Sequence, residues 1–470
     1  MTKLYETEFE RQLVEQLTTG TISFTQDVNE HQAPYGSHLV YKSKLWKYEP
    51  HIKTTEALWD NFRGILYQLN QDKLDKPLSD TEFKQVQKVI NELYTPYLAG
   101  QFLYGVNGVS QIEVDLDDGR HVYLTVFDQK QIGAGNTVYQ VVTQIQRAPK
   151  IAGRPERRFD TTLLINGLPV IQIEEKASGH AANEALNQMH QYIEERQYSD
   201  IFSTVQILVG MTPTQIKYMA NTTADMFNKD FSFQWQNPET NKVVTDWKVF
   251  SDLFLSIPMA HQMSTQFTIL DGTKNKQMLK VMRPYQVYAT KAVLSQLKQA
   301  DFTLPINKLG YIWHTTGSGK TITSFKTAWL ASRMPHVDKV VFVVDRIALT
   351  KQTEENYKAY DPEGTIDVEG RQFDAVGGTE NTNVLKRKLN EKGNGIIVTS
   401  VQKLTKLIQR KDFTLPKKNF VFIVDEAHRS TGGDSFEDLQ KVFKGAAWVG
   451  YTGTPMFDEV VGKNTTKTRE

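Results

Sequence analysis

The segment HTTGSGKT at residues 314–321 constrains this chain more than any other. It follows the apolar run LGYIW and precedes a helical pattern that continues through Ser332, so a tight loop joins a strand to a helix. Gly317, Ser318 and Gly319 give the backbone freedom for a loop whose N–H groups point inward, and Lys320 and Thr321 open the helix. Such a loop wraps phosphate. Its N–H groups and the helix N-terminus favour negative charge, Lys320 reaches the β and γ oxygens of a nucleotide, and the Thr321 hydroxyl ligates Mg2+. Thr316 belongs to the same nucleotide-binding set. The general pattern has a glycine where this chain carries His314. The bland alternative is a chance GSGKT in a linker, and the flanking strand and helix argue against it.

Further apolar strands, KVVFVVD, GIIVTS, FVFIVDEAH and AAWVGYTGTP, alternate with helical patterns, which predicts a doubly wound parallel sheet. FVFIVDEAH puts Asp425 and Glu426 at the carboxyl end of a strand, where open α/β sheets bind ligands. Asp425 can hold Mg2+, Glu426 can polarise the attacking water, and His428 can relay the state of the nucleotide. Without a ligand the same residues are only an acidic strand end. TGTP at 452–455 fits a coupling loop better than a pocket. Three motifs in order on successive strands of one sheet support one another.

A chain of 470 residues is too long for one core and suits two large units. Fifty-five Lys+Arg against 54 Asp+Glu leave a net charge of +1, so any surface for a polyanion must be local. The absence of cysteine excludes disulfides and Cys-ligated zinc or iron–sulfur sites, leaving oxygen or histidine to hold a metal. The N-terminal MTKLYETEFERQLVEQL is a charged amphipathic helix with no signal-peptide run, and no apolar stretch approaches the roughly 20 residues of a membrane span. Cytoplasm, with no membrane partner, is the expectation.

Upstream, helical spacing at 5–17 and 55–97 and strand alternation at 115–148 predict a mixed α/β region. A cationic loop, RAPKIAGRPERR, leads into FDTTLLINGLPVIQIEEK, which reads as a β-hairpin turning at 166–169. A helix and a buried strand, TVQILVGMT, follow, and the polar stretch at 271–280 suggests a domain boundary. Strand alternation places Gln172, Glu174 and Lys176 on a polar face and Ile171, Ile173 and Glu175 on a mostly apolar one. Asp160 begins the partner strand, so a tight turn near Gly167 brings its carboxylate beside Glu174. That grouping suits phosphodiester hydrolysis. Asp160 and Glu174 would bind Mg2+, the metal would activate water, and Lys176 would stabilise the hydroxide or the pentavalent phosphorane. E-x-K alone says nothing, because solvated strands carry alternating Glu and Lys constantly. The context is the aspartate fourteen positions before Glu174, the hairpin, and a helix with Gln188 and Tyr192 one turn apart on one face. Glu10, on the first helix, reads as a solvated residue, and His180 as a loop residue.

The three strand-end motifs resemble the first motor lobe of superfamily 2 helicases and translocases, in which a residue other than glycine at the His314 position is typical. RPYQ at 283–286 matches that family's adenine-contacting motif, with Arg283 and Gln286 as nucleotide contacts, although a surface helix start reads the same way. VDRIALTKQ and VTSVQKL match segments that touch the DNA backbone, which assigns Arg346 and Thr399 to DNA. Asp160, Glu174 and Lys176, with Gln188 and Tyr192, resemble the D…ExK core and QxxxY element of the restriction (R) subunits of type I restriction-modification enzymes. INGLPV, MRPYQ, YIWHTTGSGKTITS and VDRIAL are similar to phrases of that family. The resemblance covers nearly the whole chain and is strongest at 158–192 and 282–455. It implies an endonuclease domain over 1–265, with a D…ExK core at about 110–215, and a first RecA-like lobe over 270–470. It further implies ATP and Mg2+ as cofactors, and DNA cleavage by a type I site-specific deoxyribonuclease coupled to translocation. Double-stranded DNA and the modification (methyltransferase) and specificity subunits, which use S-adenosylmethionine, are the implied partners. D…ExK folds often carry a further carboxylate on the first helix, the position of Glu10. The family's second lobe and C-terminal helical region have no sequence here, so weak ATP binding and poor hydrolysis are expected of this chain. Two other readings stay open: an ATP-dependent DNA-binding or remodelling module without an active nuclease, and a nucleotide-dependent assembly module whose nuclease site is degenerate.

Overall fold

Turn chemistry and strand alternation are realised in the computed structural model, which describes residues 5–20, 45–133, 135–315, 317–344, 347–361, 376–378, 382–393, 395–425 and 434–453. The chain divides into two units, Met1–Tyr288 with Ala359–Phe373, and Ala289–Lys358 with Asp374–Glu470.

The first unit opens with α1 (Glu6–Thr19), β1 (Lys47–Tyr48), α2 (Thr55–Leu69), α3 (Asp80–Asn91) and α4 (Pro96–Tyr104). Local chemistry sets the starts of these helices: Thr54 and Thr95 cap α2 and α4 through their side chains, and Ser79 and Glu82 form a reciprocal capping box on α3. The strands β2 (Val109–Asp115) and β3 (His121–Asp128) form a separate two-stranded ribbon. A six-stranded mixed sheet is built from β1, β4 (Tyr139–Arg147), β5 (Arg157–Ile165), β6 (Leu168–Glu175), β7 (Ile207–Thr212) and β8 (Gln215–Ala220), in that order across the sheet.

Between β5 and β6, Asn166 (φ 51°) and Gly167 (φ 81°) both take left-handed conformations, the tight two-residue turn whose twist matches that of the flanking strands. Next to the turn Ile165 pairs with Leu168; a one-residue register shift between Leu163 and Leu164 then sets Thr161 opposite Ile173 and Thr162 opposite Gln172, so Asp160 stands level with Glu174. β6 then runs parallel to β7, with α5 (Ala182–Glu194) as the crossover. The apolar stripe of α5, Ala185, Leu186, Met189 and Tyr192, is buried. Neither the polar nor the apolar face of β6 is solvated. All of β6 is buried, because both α1 and α5 pack on it.

After β8 come two short helices, α6 (Trp247–Phe250) and α7 (Met259–Ser264), and an antiparallel pair, β9 (Thr268–Asp271) and β10 (Met278–Val281). The polar stretch at 271–280 is therefore the turn of this ribbon within the first unit, and the division between units falls inside α8 (Pro284–Lys298).

In the second unit, β11 (Asn307–Trp313), α9 (Lys320–Ser332), β12 (Lys339–Val344), α10 (Ile347–Ala359), β13 (Val376–Gly378), α11 (Thr382–Asn390), β14 (Ile396–Ser400), α12 (Val401–Ile408), β15 (Phe420–Asp425), α13 (Asp434–Val442) and β16 (Ala447–Thr452) follow in turn. All described pairings among these six strands are parallel, in the order β11-β16-β15-β12-β14-β13. On one face Val341, Ile397, Phe422 and Trp448 pack with Leu385, Leu404 and Leu439 of the three later helices. On the other, Phe342 meets Tyr357 of α10, which in turn meets Phe325 of α9. Helices on both faces make this the doubly wound α/β sheet that the repeated strand-then-helix pattern predicts. Among the described residues, no helix is long and apolar enough to cross a membrane.

Candidate functional sites

In the first unit the hairpin register delivers Asp160 to Glu174. Their carboxyl groups share a hydrogen bond, and Asp160 Oδ2 also accepts the Glu175 backbone N–H at 3.0 Å. Glu174 has no exposed surface. Burial, and then the charge and hydrogen bond of Asp160, hold its carboxyl well above the usual range. Burial is the largest cause raising Asp160 as well, so the two carboxyls titrate as a pair above the ordinary carboxylate range.

The next helix orients this pair. Gln188 Nε2 donates to Tyr192 Oη at 2.5 Å, and Tyr192 Oη lies 3.5 Å from Glu174 Oε2. Gln172 Nε2 donates to the other Glu174 oxygen at 3.2 Å. The Tyr192 ring is fixed against Phe159, 4.8 Å between centroids, in a cluster with Tyr198 and Phe202. Lys176 Nζ lies 3.4 Å from Glu6 of α1, and its charge is felt by Asp160, Glu174 and Glu175. Asp160, Glu174, Lys176, Gln188 and Tyr192 thus gather at one place.

Two further carboxylates join these motif residues. Glu10 does not lie on a solvated helix face: it is half-buried, accepts a hydrogen bond from Gln144 Nε2, and is raised by burial and by the Asp160 charge. Glu175 is buried, its Oε1 has no hydrogen-bond partner, and burial, Asp160 and Glu10 drive its carboxyl well above the ordinary range. Amphipathic spacing on α1 puts Glu10 next to buried Phe9 and Leu13, a faint signal for an inward side chain. The signal for Glu175 is a charge on a strand face otherwise occupied by Ile171 and Ile173.

So many buried acids repel one another unless protons or a cation intervene. The paired Asp160 and Glu174 and the unpartnered Glu175 oxygen suit a hard divalent cation. Among the described residues no three carboxylate or histidine side chains enclose a metal by themselves. Mg2+ matches such a set, because it keeps several waters and takes one or two carboxylates plus substrate phosphate.

In the second unit the glycine loop bridges β11 and α9. Gly317 (φ 80°) and Gly319 (φ 84°) occupy the left-handed region, and a Cβ on Gly317 would meet nothing within 4 Å, so conformation and not space requires glycine there. Ser318 N donates to the Thr315 carbonyl at 3.1 Å, closing the turn. Lys320 Nζ lies 3.0 Å from Asp425 Oδ1, over the end of the intervening strand β16. The helix-opening lysine and the strand-end aspartate therefore meet. Thr321 begins α9 beside them, partly exposed. His314 is buried against Tyr451, and burial followed by the Lys320 charge holds its imidazole at about 4, neutral at pH 7.

Arg283 and Gln286 belong to the first unit. Gln286 is buried, and its Oε1 accepts the Arg283 N–H at 2.9 Å, capping α8, while the Arg283 guanidinium lies over Phe233 at 4.8 Å. Thr399 has no exposed surface within β14, so the structure does not present it to a DNA phosphate. Thr316, Arg346, Glu426 and His428 lie outside the described residues.

Two family models match the chain: residues 36–227 match the type I restriction enzyme R protein N terminus (HSDR_N), and residues 285–469 match the SWI2/SNF2 ATPase. A type I restriction enzyme endonuclease subunit of Staphylococcus aureus (strain MSSA476) is 34% identical over 87% of this chain and 41% of its own length. The chain thus spans about two fifths of that relative. The C-terminal part of a putative type I restriction endonuclease, from Mycoplasma pneumoniae, is 38% identical over 45% of this chain and 100% of the relative. The EcoprrI endonuclease subunit of Escherichia coli is 30% identical over 57% of this chain and 82% of the relative.

Proposed function

This chain belongs to the endonuclease subunits of type I restriction enzymes, and from that premise we propose that its first unit cuts double-stranded DNA and its second binds ATP to drive DNA translocation. The observation that carries the reading is the meeting of Asp160 and Glu174 at the hairpin, with Lys176 beside them and Tyr192 and Gln188 behind.

Asp160 and Glu174 are the residues that would hold Mg2+. When bound, the ion would lower the pKa of a water and neutralise charge on the phosphate. The protein's own part begins with fixing the acids. Gln172 and Tyr192 each engage one oxygen of Glu174, leaving its shared edge toward Asp160. The Glu175 N–H restrains Asp160. Lys176 contributes a cation at the place where negative charge develops in phosphodiester hydrolysis.

At the nucleotide site, the N–H groups of Gly317, Ser318 and Gly319 and the start of α9 would receive the phosphates, with Lys320 on their outer oxygens. Thr321 and Asp425 would share the magnesium of the nucleotide, Glu426 would orient water, and His428 would report the nucleotide state. Arg283 and Gln286 are assigned to the base, and Arg346 to the DNA backbone. Partner modification and specificity subunits would select the target, with the complex working in the cytoplasm.

Substituting Lys176→Ala in the reconstituted complex tests the nuclease reading. Plasmid cleavage should fall by about 10²–10³, while DNA-stimulated ATP hydrolysis stays. Undiminished nicking would remove the assignment and leave a remodelling module.

A further inference from the structure

Strand β4 contains a residue whose conformation its own chemistry opposes. Gln144 has φ 59°, and it alone among the described non-glycine residues combines a positive φ with a position inside a strand. Asn and Asp tolerate this region through short local hydrogen bonds, which the longer glutamine side chain does not make as readily. The ladder is nevertheless kept on both sides: Thr143 faces Thr161 and Ile145 faces Phe159, which sets Gln144 level with Asp160. The preceding residue is held firmly. Lys53 Nζ donates to the Thr143 carbonyl at 2.7 Å and to its hydroxyl at 3.0 Å, and Tyr48 Oη lies 3.1 Å from the same hydroxyl. Against the strain stands one hydrogen bond, donated by the Gln144 amide to the Glu10 carboxylate on α1. Strained backbone persists where its surroundings over-determine it, and it concentrates where geometry is used.

We propose that Gln144 is a positioning residue for cation-dependent cleavage: its left-handed backbone aims the amide at Glu10 and holds that carboxylate toward Asp160, where it orients a water of the cation bound by Asp160 and Glu174. The inference rests on the nuclease reading. Lys53 and Tyr48 act through Thr143, Gln144 acts through Glu10, and Glu10 acts on the cation through a bound water.

The test uses the full chain for Mn2+ titration calorimetry and thermal unfolding, and the reconstituted complex for the Mg2+ dependence of plasmid cleavage. Gln144→Gly removes the amide and also removes the conformational penalty. It should unfold at the same or a higher temperature, yet bind Mn2+ about 10–100-fold more weakly and need correspondingly more Mg2+ to cut. Gln144→Asn, which tolerates the backbone and keeps an amide, should recover part of the affinity. Glu10→Gln should reproduce the loss, and adding Gln144→Gly to it should cost nothing more. Unchanged Mn2+ affinity in Gln144→Gly would overturn the proposal, as would a loss that merely follows a lowered unfolding temperature or one that adds to that of Glu10→Gln. Glu174→Gln separates the two levels. If it abolishes cleavage while Gln144→Gly does not weaken Mn2+, only the role of Gln144 is lost. If it leaves cleavage intact, the nuclease reading falls and this inference with it.

Discussion

Replacing Glu174 with glutamine should stabilise the first unit when no divalent cation is present, and the gain should grow with pH. Glu174 is fully buried, and burial together with Asp160 holds its carboxyl well above the ordinary range. The folded chain therefore keeps a proton that the unfolded chain releases. For a group raised in this way, the stabilising contribution is complete below the unfolded pKa and is lost as pH rises toward the folded one. Each retained proton gives a slope of about 1.4 kcal/mol per pH unit across that window. Glutamine keeps the size of the side chain and can donate to Asp160 where the shared proton stood, but it does not titrate. The difference between variant and wild type should thus open by about 1.4 kcal/mol per pH unit above the ordinary glutamate range. For a unit of this size that is about 2 °C per pH unit in unfolding temperature. A cation at about 100 times its Kd should return about 2.7 kcal/mol to the wild type and little to the variant, reversing their order below about pH 6 and narrowing the gap above it. Calorimetry in EDTA and in Mg2+, from about pH 5 to about pH 8, reads both effects. Parallel curves for the two proteins in EDTA, or equal stabilisation of both by Mg2+, would refute the reasoning.

Phe159→Ala should destabilise the first unit by about 3–5 kcal/mol, since the ring is wholly buried among Tyr192, Tyr198 and Phe202; denaturant melts read this, and cleavage should fall further than folding alone explains because Tyr192 loses its support. Lys320→Ala should weaken binding of a non-hydrolysable ATP analogue by about 10² or more, while leaving Mn2+ binding at the carboxylates unchanged, as measured by calorimetry. Asp425→Asn should weaken Mg2+-dependent nucleotide binding more than metal-free binding, because its carboxylate, 3.0 Å from Lys320, is the group proposed to hold the cation of the nucleotide. Equal loss with and without Mg2+ would count against that role.

Features governed by neighbouring residues are legible without any fold. Asn166–Gly167 specify a tight hairpin because both positions must take positive φ, but Asp160 comes level with Glu174 only through a one-residue register shift between Leu163 and Leu164, which turn chemistry does not announce. Gly317 and Gly319 likewise mark a loop that only glycine enters without strain, and the apolar strand after each helix announces the parallel sheet. The alternation on β6 is legible too, but its environment is not. Glu and Lys on alternate positions suggest one wet face, whereas α1 and α5, distant in sequence, cover the strand.

What the sequence by itself determined was therefore the hairpin, the glycine loop and the order of strands and helices, since these follow from φ preferences and periodicity within a few residues. Only the tertiary structure decided that Glu10 turns inward, that the Glu175 carboxylate is buried with one oxygen unpaired, that Gln144 is bent into the left-handed region, and that Thr399 is covered. The physical reason is that burial, and with it the energy of a charge, depends on which distant surface closes over a side chain, and spacing along the chain carries no record of that.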